Sequence, residues 1–240
     1  EILKSKILAG VIEIKPAAPW KKILQRGLLY FLLIFGAVSM VAPFLWMIST
    51  SLKEADQVFA YDKVWWKEWI PTSFVWQNYL KVWQSKTVPF AMFYLNSIMV
   101  SVCITFGQVA TSAMAAYAFA RLNFPGREKL FLGYLATMMI PGAVTMIPVF
   151  ILLRNLGWVD TYKALILPGI FTAYGTFMLR QFFLTLPKDL EDAAKIDGCS
   201  YVRIFWHIIL PLSKPALATL TTFTFMGSWM SLMWPLIVVN

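Results

Sequence analysis

Charged side chains are scarce in this chain of 240 residues: Asp, Glu, Lys and Arg make up 14% of it, whereas 59% of the residues are apolar. Soluble domains have about 25% charged and about 45–50% apolar residues. The composition therefore excludes an ordinary soluble domain and indicates a protein that folds in a bilayer. The net charge is +9, but the basic residues do not cluster on one face with interleaved aromatics, so we predict no nucleic-acid partner.

Residues that serve redox, metal or acid–base chemistry are also few. The two cysteines, Cys103 and Cys199, form no CxxC pair and are too few for a secreted disulfide framework. The single histidine, His207, has no carboxylate or serine at catalytic spacing. No GxxxxGK[ST], HExxH or GxSxG motif occurs in the sequence. We therefore predict no catalytic residue, no metal site and no nucleotide or other cofactor in this chain.

Five long stretches without charge dominate the sequence. A helix needs about 20 residues to cross about 30 Å of hydrocarbon, where its polar groups must be hidden. The stretches cover residues 27–50, 87–120, 130–153, 164–179 and 215–240. The fourth is short, but Arg180 can snorkel towards the headgroups while the apolar helix continues. We predict an all-α polytopic helical bundle in which Pro141, Gly142 and Pro148 kink the third stretch.

The charges of the loops predict the orientation, because Lys and Arg are retained on the cytoplasmic side of a membrane. They are concentrated before the first stretch, after the second and after the fourth, whereas the loops 51–86 and 154–163 hold fewer. We therefore predict a cytoplasmic N-terminal segment, 1–26, and a transmembrane domain, 27–240, with a sixth span expected beyond the chain. The outer loop carries tryptophans that suit an interfacial belt or a contact with an external partner: Trp65, Trp66, Trp69, Trp76 and Trp83.

The loop at 186–214 has the pattern of two short helices joined by a bend. Pro187 and the acidic residues after it favour a helix start, Gly198 suits the left-handed residue that ends that helix, and Ser200 suits the N-cap of the next. One face of the first helix would hold Leu190, Ala193, Ala194 and Asp197, and one side of the second would hold Val202, Phe205, Trp206 and Ile209. Small alanines permit close approach of another backbone. The pattern alone equally fits an amphipathic connector at the bilayer surface.

The same loop carries an ordered pattern of an acidic residue, two alanines, a glycine, and later Ile and Leu-Pro. These positions are Asp192, Ala193, Ala194, Gly198, Ile208, Leu210 and Pro211. The pattern resembles the EAA loop of the permease subunits of binding-protein-dependent ABC importers, in which the acidic residue is usually Glu. Other segments resemble the sugar-permease branch that includes the MalG type. They are 44–53, Trp76-Gln-Asn-Tyr79, Ala116-Tyr-Ala-Phe-Ala-Arg121 with Phe124-Pro-Gly-Arg127, and Ile140-Pro141 to Ile166-Leu-Pro168.

The resemblance implies a multi-pass permease subunit of the type I ABC importer fold in a bacterial inner membrane. Its implied partners, besides lipid, are a second permease subunit, two ATPase subunits that hold ATP and Mg, and an extracytoplasmic solute-binding protein. The branch favours a second permease that is a different chain. The first helix of the EAA loop would be the coupling helix, seated in a groove of an ATPase subunit. The implied coupling residues are Leu190, Asp192, Ala193, Ala194, Gly198, Leu210 and Pro211.

The resemblance also implies that the solute is a sugar or oligosaccharide, and glycerol phosphate is the alternative because its carriers share the branch. The path of either solute must be polar, and Ser, Thr and Gln recur along the second and fifth stretches. Small polar residues also let membrane helices pack closely, so both roles stay open for each of them. Gln108 favours the path, because it is larger and costlier to leave without a partner. The predicted pathway residues are Ser101, Gln108, Tyr174, Thr224, Ser228 and Trp229.

Two other classes of membrane protein compete with this interpretation. A self-contained secondary transporter or channel would need coupling groups inside its spans, but the five stretches hold no Asp, Glu, Lys or His in their interiors. An integral-membrane enzyme would need a nucleophile–base pair or a metal cluster, and the sequence shows neither pattern. A permease subunit that depends on an external ATPase is therefore the favoured interpretation.

Overall fold

The computed structural model of the protein describes residues 19–59 and 69–239, and the regular structure in these ranges is helical. The helices are α1 (Pro19–Ser51), α2 (Ala55–Phe59), α3 (Gln77–Gln84), α4 (Phe90–Arg121), α5 (Arg127–Met139), α6 (Gly142–Asn155), α7 (Tyr162–Ile166), α8 (Ala173–Thr185), α9 (Asp189–Ile196), α10 (Tyr201–Leu212), α11 (Lys214–Trp229) and α12 (Met233–Val238). α5 ends in a 3-10 turn, and α10 contains a π turn. The prediction of an all-α protein is confirmed.

The polytopic membrane architecture is confirmed as well. Two helices are long and apolar enough to cross a bilayer, Lys22–Ser51 and Phe90–Arg121, and they coincide with the first two predicted stretches. Two bent helix pairs, α5 with α6 and α10 with α11, pass the same test when each pair counts as one span. By length and composition, the described ranges therefore provide two spans, or up to four with the bent pairs.

The third predicted stretch bends at Pro141, as the sequence predicts. α5 and α6 are bent by 98° relative to each other. Ile140 is extended, with a ψ of 116°, because a proline disfavours helical geometry in the residue before it. Pro148 lies inside α6 without ending the helix. The 98° bend therefore lies at Pro141, between α5 and α6, and the helix is not interrupted at Pro148.

The fourth predicted stretch, 164–179, is not the single helix that the sequence suggests. α7 ends at Ile166, a 3-10 turn covers Leu167–Gly169, and Thr172 is extended before α8 begins. Pro168 lies in that turn and has no backbone N–H to continue the hydrogen-bond ladder of a helix. α8 has 13 residues, so it is about 20 Å long and shorter than the hydrocarbon layer. The fifth stretch is divided too, because α11 ends at Trp229 and α12 is a separate helix.

The chain forms two compact units, Glu1–Pro89 and Phe90–Asn240. In the first unit, the loop after α1 folds back on the end of that helix. The amide nitrogen of Asn78 donates hydrogen bonds to the carbonyls of Ser51 and Lys53, at 3.1 and 2.9 Å. The Tyr79 hydroxyl lies 2.7 Å from Ser51 Oγ. The Asn-Tyr element therefore satisfies carbonyls that the end of α1 leaves open.

Tryptophans of the loop 51–86 take part in this fold as far as the structure describes them. Trp69 packs edge-to-face on Trp46, with ring centroids 5.1 Å apart, and Trp76 stacks on Tyr79 at 6.4 Å. Trp65 and Trp66 lie outside the described residues. The interfacial belt and the external contact both stay predictions.

In the second unit, α4 packs along α8 and α11 through small side chains. Ala113, Ala116 and Ala120 of α4 are buried. Gly175 of α8 approaches Ser112 so closely that a Cβ at position 175 would lie 2.5 Å from Ser112 Oγ. Since small residues let membrane helices approach each other, the polar stripe of α4 serves packing at the level of Ser112.

Candidate functional site

Residues 186–214, the candidate coupling segment, form two helices joined by a bend, as the sequence predicts. Gly198 follows α9 in a left-handed conformation with a φ of +78°. The N–H of Gly198 donates to the Lys195 carbonyl at 3.0 Å, and the N–H of Cys199 donates to the Ala194 carbonyl at 2.9 Å. These two bonds form the Schellman ending of a helix, which glycine favours because it has no Cβ.

α10 begins with the predicted cap but turns a partly different face inward. Ser200 Oγ accepts a hydrogen bond at 3.3 Å from the Arg203 N–H. The sequence puts Val202 and Trp206 on one side of this helix with Phe205 and Ile209, a side apolar enough to rest on the bundle or at the lipid interface, and both Val202 and Trp206 are exposed. The inward residues are Ile204, Phe205 and Ile209. The π turn in this helix inserts an extra residue and shifts the helical period from the regular one assumed in the prediction.

The inner faces of α9 and α10 are docked on α4, α8 and α11. One buried cluster contains apolar residues of all five helices: Ala113, Ala116, Tyr117, Ala120, Leu179, Phe183, Ala194, Ile204, Phe205, Ile209, Ala216 and Leu220. Full burial of a large apolar side chain contributes about 1.5–3 kcal/mol. The candidate coupling segment is therefore part of the same packed body as these three helices.

The predicted contact face of α9 is divided between the interior and the surface. Ala194 is buried in the cluster, so it contacts the chain's own helices instead of facing outwards. Leu190, Ala193 and Asp197 are exposed. The helical period places these four residues near one another, but it does not say which neighbour each of them meets.

The remaining candidate coupling residues lie at or near the surface. Asp192, at the acidic position of the EAA pattern, is exposed, and its carboxylate lies 3.4 Å from Lys195 Nζ. Leu210 is half-buried and Pro211 is exposed. Sequence reasoning missed Ile196, which is 87% exposed at the end of α9. Its position three residues after Ala193 is the signal that would have placed it on the outer face.

Sequence reasoning also missed a buried ion pair between α4 and α9. Arg121 Nε lies 3.0 Å from Glu191 Oε1, and the two side chains are 2% and 6% exposed. Arg121 Nη2 also donates to the carbonyl of Leu186, at 2.7 Å, and to that of Phe183. Burial raises the pKa of the Glu191 carboxyl more than Arg121 lowers it. By sequence alone, Arg121 is a loop charge and Glu191 is an acidic residue that favours the helix start, although Glu191 precedes Ala194 by three positions and so shares its inner face.

A cavity of about 470 Å³ lies beside the first half of α4. The predicted pathway residues Ser101, Ser228 and Trp229 line it, and the two serine hydroxyls lie 3.4 Å apart. The Tyr162 hydroxyl donates to Asn96 Oδ1 at 3.0 Å on its wall. Other lining residues with polar side chains are Ser97, Asp160, Thr161 and Ser231. This lining combines hydroxyl and amide groups with aromatic rings.

A second cavity, of about 820 Å³, adjoins the first and shares Ser228 with it. Gln108 and Thr224 line it. Thr224 is 8% exposed, and within the described part of the chain its hydroxyl has no hydrogen-bond partner. Tyr174 is exposed and lines neither cavity. The structure thus gathers the predicted pathway residues other than Tyr174 around two adjoining cavities.

Known proteins are similar to this chain in sequence and in fold. A family model described as "Binding-protein-dependent transport system inner membrane component" matches residues 108–240. The sn-glycerol-3-phosphate transport system permease protein UgpE of Yersinia pestis is 36% identical over 224 residues, which cover 90% of this chain and 78% of the relative. The protein of the same name from Escherichia coli O1:K1 is 32% identical over 226 residues, covering 92% and 78%.

A solved structure matches the fold as a whole. It is the crystal structure of a bacterial ABC transporter involved in the import of the acidic polysaccharide alginate, with a TM-score of 0.82 and 24% identity. The match covers 94% of this chain and 78% of the other. The family match over 108–240 and the relatives above, with which this fold agrees, identify the chain as a member of the family of inner membrane components of binding-protein-dependent transport systems, the permeases of ABC importers.

Proposed function

We propose that this permease conducts its solute past the two cavities and is driven through α9 by ATPase subunits. The observation that carries the proposal is that α4 joins both places. It lines a cavity at Ser101 and reaches α9 at Arg121. A helix of the 20 residues between them rises about 30 Å, which equals the thickness of the hydrocarbon layer of about 30 Å. The first cavity, at Ser101, and the coupling segment therefore lie about one membrane thickness apart along one helix.

The coupling segment is proposed to face the cytoplasm, together with the N-terminal segment 1–26. Basic residues surround the segment, and Lys and Arg near membrane helices are retained inside. They are Arg121, Arg127, Lys129, Arg180, Lys188, Lys195, Arg203 and Lys214. This orientation places the cavity at Ser101 towards the outer face of the membrane, where a solute-binding protein delivers its cargo.

The exposed face of α9 is the proposed contact with an ATPase subunit. Leu190, Ala193 and Ile196 form its apolar part, and Asp192 its acidic part. A helix that lays an exposed apolar face into a groove is a common mode of recognition. The partner ATPase pair would hold ATP and Mg, and its closure would move α9 and the helices packed on it. A second permease subunit, proposed to be a different chain, completes the path.

A neutral sugar or oligosaccharide is the proposed solute. Among the described residues that line the two cavities, Asp160 is the one charged side chain. A phosphate or carboxylate solute would meet this acid and no Lys or Arg on these walls, although such groups are normally bound by cations. Hydroxyl, amide and aromatic groups instead suit a sugar ring. Glycerol phosphate is the second candidate, because relatives 36% identical to this chain carry that name.

The test is transport by the assembled complex. The chain is expressed with the permease and ATPase encoded beside it, purified, and reconstituted in liposomes with the solute-binding protein. We expect ATP-dependent uptake of a neutral oligosaccharide and stimulation of ATP hydrolysis by the loaded binding protein. Uptake of sn-glycerol 3-phosphate instead would establish the second candidate. Uptake without ATP by this chain alone would refute the ABC mechanism and favour a secondary transporter or channel.

The Asp160→Asn variant tests the role of charge in the choice between solutes. Asp160 has a φ of +63°, which asparagine adopts as readily as aspartate does, so the exchange removes the charge without adding backbone strain. If the carboxylate excludes anions, the variant takes up an anionic sugar derivative faster than the parent does and neutral sugar at an unchanged rate. Equal anion uptake by the two proteins would contradict this role.

A further inference from the structure

The buried Arg121 side chain contacts three backbone or side-chain groups on two other parts of the chain. Its Nε faces the carboxylate of Glu191 in the first turn of α9. Its Nη2 donates to the carbonyls of Phe183 and Leu186 at the end of α8. Carbonyls at the end of a helix lack partners within the helix, so Arg121 occupies the junction between α4, α8 and α9.

Other charged side chains of α9 do not share this position. Asp189, Asp192 and Lys195 are exposed, and the Asp192 pair with Lys195 stays within α9. Such an exposed pair contributes about 0–1 kcal/mol and links nothing to the membrane helices. Glu191, 4% exposed, is the acidic residue of α9 that faces its own protein. The apolar contacts of α9 with the bundle are made by a small side chain, Ala194.

We propose that Arg121 is the positioning residue that carries movement of α9 to α4 and α8. This inference rests on the proposed function of α9 as the contact with an ATPase. Alanine contacts slide, because they are short and undirected. Arg121 instead holds α9 through a buried ion pair with Glu191 and holds the end of α8 through charge-assisted hydrogen bonds to two carbonyls, which fix distance and direction. A planar guanidinium can hold a carboxylate and two carbonyls at once. When α9 is displaced, Arg121 transmits the displacement to the ends of both helices instead of letting α9 rotate on its alanine face.

The test uses the assembled complex in liposomes and measures the ratio of solute transported to ATP hydrolysed. In Arg121→Gln, the buried Glu191 loses its cationic partner and α9 loses its link. We expect this ratio to fall about tenfold, because removal of one member of a buried ion pair is strongly disruptive. In Glu191→Gln, Arg121 keeps both carbonyls and a neutral amide, so we expect a smaller fall, of about threefold. Arg121→Lys should give a ratio between those of Arg121→Gln and the parent, because an ammonium group keeps the charge but lacks the planar set of N–H donors of a guanidinium.

The double variant Arg121→Gln/Glu191→Gln separates transmission from a general loss of stability. It removes the uncompensated carboxylate that Arg121→Gln leaves buried, so assembly and thermal stability should recover relative to Arg121→Gln. It still lacks the guanidinium, so its transport ratio should stay as low as that of Arg121→Gln. Recovery of the ratio to the parent value together with stability would overturn the inference.

Arg180→Gln is the matched control. Arg180 also pairs with a glutamate, Glu128, at 3.3 Å, and also donates to a backbone carbonyl, that of Phe119, at 3.2 Å. It does not touch α9, so its transport ratio should equal that of the parent. If the Arg121→Gln complex does not assemble, the transport ratios of Glu191→Gln and Arg180→Gln are compared instead. Equal transport ratios in these two variants would refute the positioning role. If the parent complex shows no ATP-dependent transport, the proposed function fails first, and that outcome is separate.

Discussion

Replacement of Gly198 tests the coupling segment most directly, because the strain it introduces is confined to the backbone. The residue has a φ of +78°, and a Cβ built there meets no atom within 4 Å. Gly198→Ala therefore causes no steric clash, and the left-handed conformation of a residue with a Cβ costs about 1–2 kcal/mol. A cost of this size lowers the population of the bent segment about 5- to 30-fold relative to competing conformations.

Gly198→Pro is the stronger perturbation. Proline holds φ near about −65° and has no N–H, so it cannot adopt the bend or donate to the Lys195 carbonyl, which the glycine reaches at 3.0 Å. We expect Gly198→Ala to reduce solute-coupled ATP hydrolysis in liposomes, and Gly198→Pro to abolish transport while the chain still inserts and is found in the membrane fraction.

The matched controls are the other left-handed glycines of the described chain. Gly126 and Gly157 have φ values of +79° and +67°, and a Cβ at either meets no atom within 4 Å. Gly126→Ala and Gly157→Ala carry the same backbone strain outside the coupling segment, so they should lose stability without a selective loss of coupling. Transport by Gly198→Pro at the parent rate, or equal coupling losses in all three alanine variants, would refute the assignment of this segment.

Three further predictions concern packing, the path and pH. Gly175→Ala places a Cβ 2.5 Å from Ser112 Oγ, whereas a Cβ in Gly133→Ala meets no atom within 4 Å. Overpacking of the kind expected at position 175 costs about 1–3 kcal/mol, so only Gly175→Ala should lower the thermal midpoint in detergent. Equal midpoints of the two variants would contradict the close helix contact. Thr224→Val removes from a cavity wall a hydroxyl that has no hydrogen-bond partner among the described residues. If that hydroxyl binds solute, the KM for solute should rise about 2- to 10-fold while folding is unimpaired. An unchanged KM would exclude this contact. Burial raises the pKa of Glu191, so the folded state binds the Glu191 proton more tightly than the unfolded state does. The stabilisation that this proton gives the folded state is complete below the unfolded pKa of about 4.3 and is lost as pH rises through the raised folded pKa. Hydrogen exchange of α9 should therefore become faster over that pH range in the parent than in Glu191→Gln, and equal pH profiles of the two proteins would disprove this prediction.

Local features of the sequence determined much of this protein. The scarcity of charge and the uninterrupted apolar stretches require a bilayer, because only there is so much apolar surface stable. Gly198, Ser200 and Pro141 each act on the backbone within a few residues, through a left-handed conformation, a cap and a missing N–H. The bend, the start of α10 and the kink after α5 were therefore predictable. The EAA pattern identified the family for the same reason, since its residues are close together in the chain.

The tertiary structure decided which neighbour each face meets. Helical periodicity grouped Ala194 with Leu190 and Ala193, but packing in the shared apolar cluster buried Ala194 and left the other two exposed. A π turn changed the inward face of α10. Arg121 and Glu191 lie 70 positions apart in the sequence, and nothing in the residues next to them distinguishes them from ordinary charged residues at the membrane surface. Only the docking of α9 removes them from water and joins them, because burial and charge pairing depend on distances between segments that no local pattern contains.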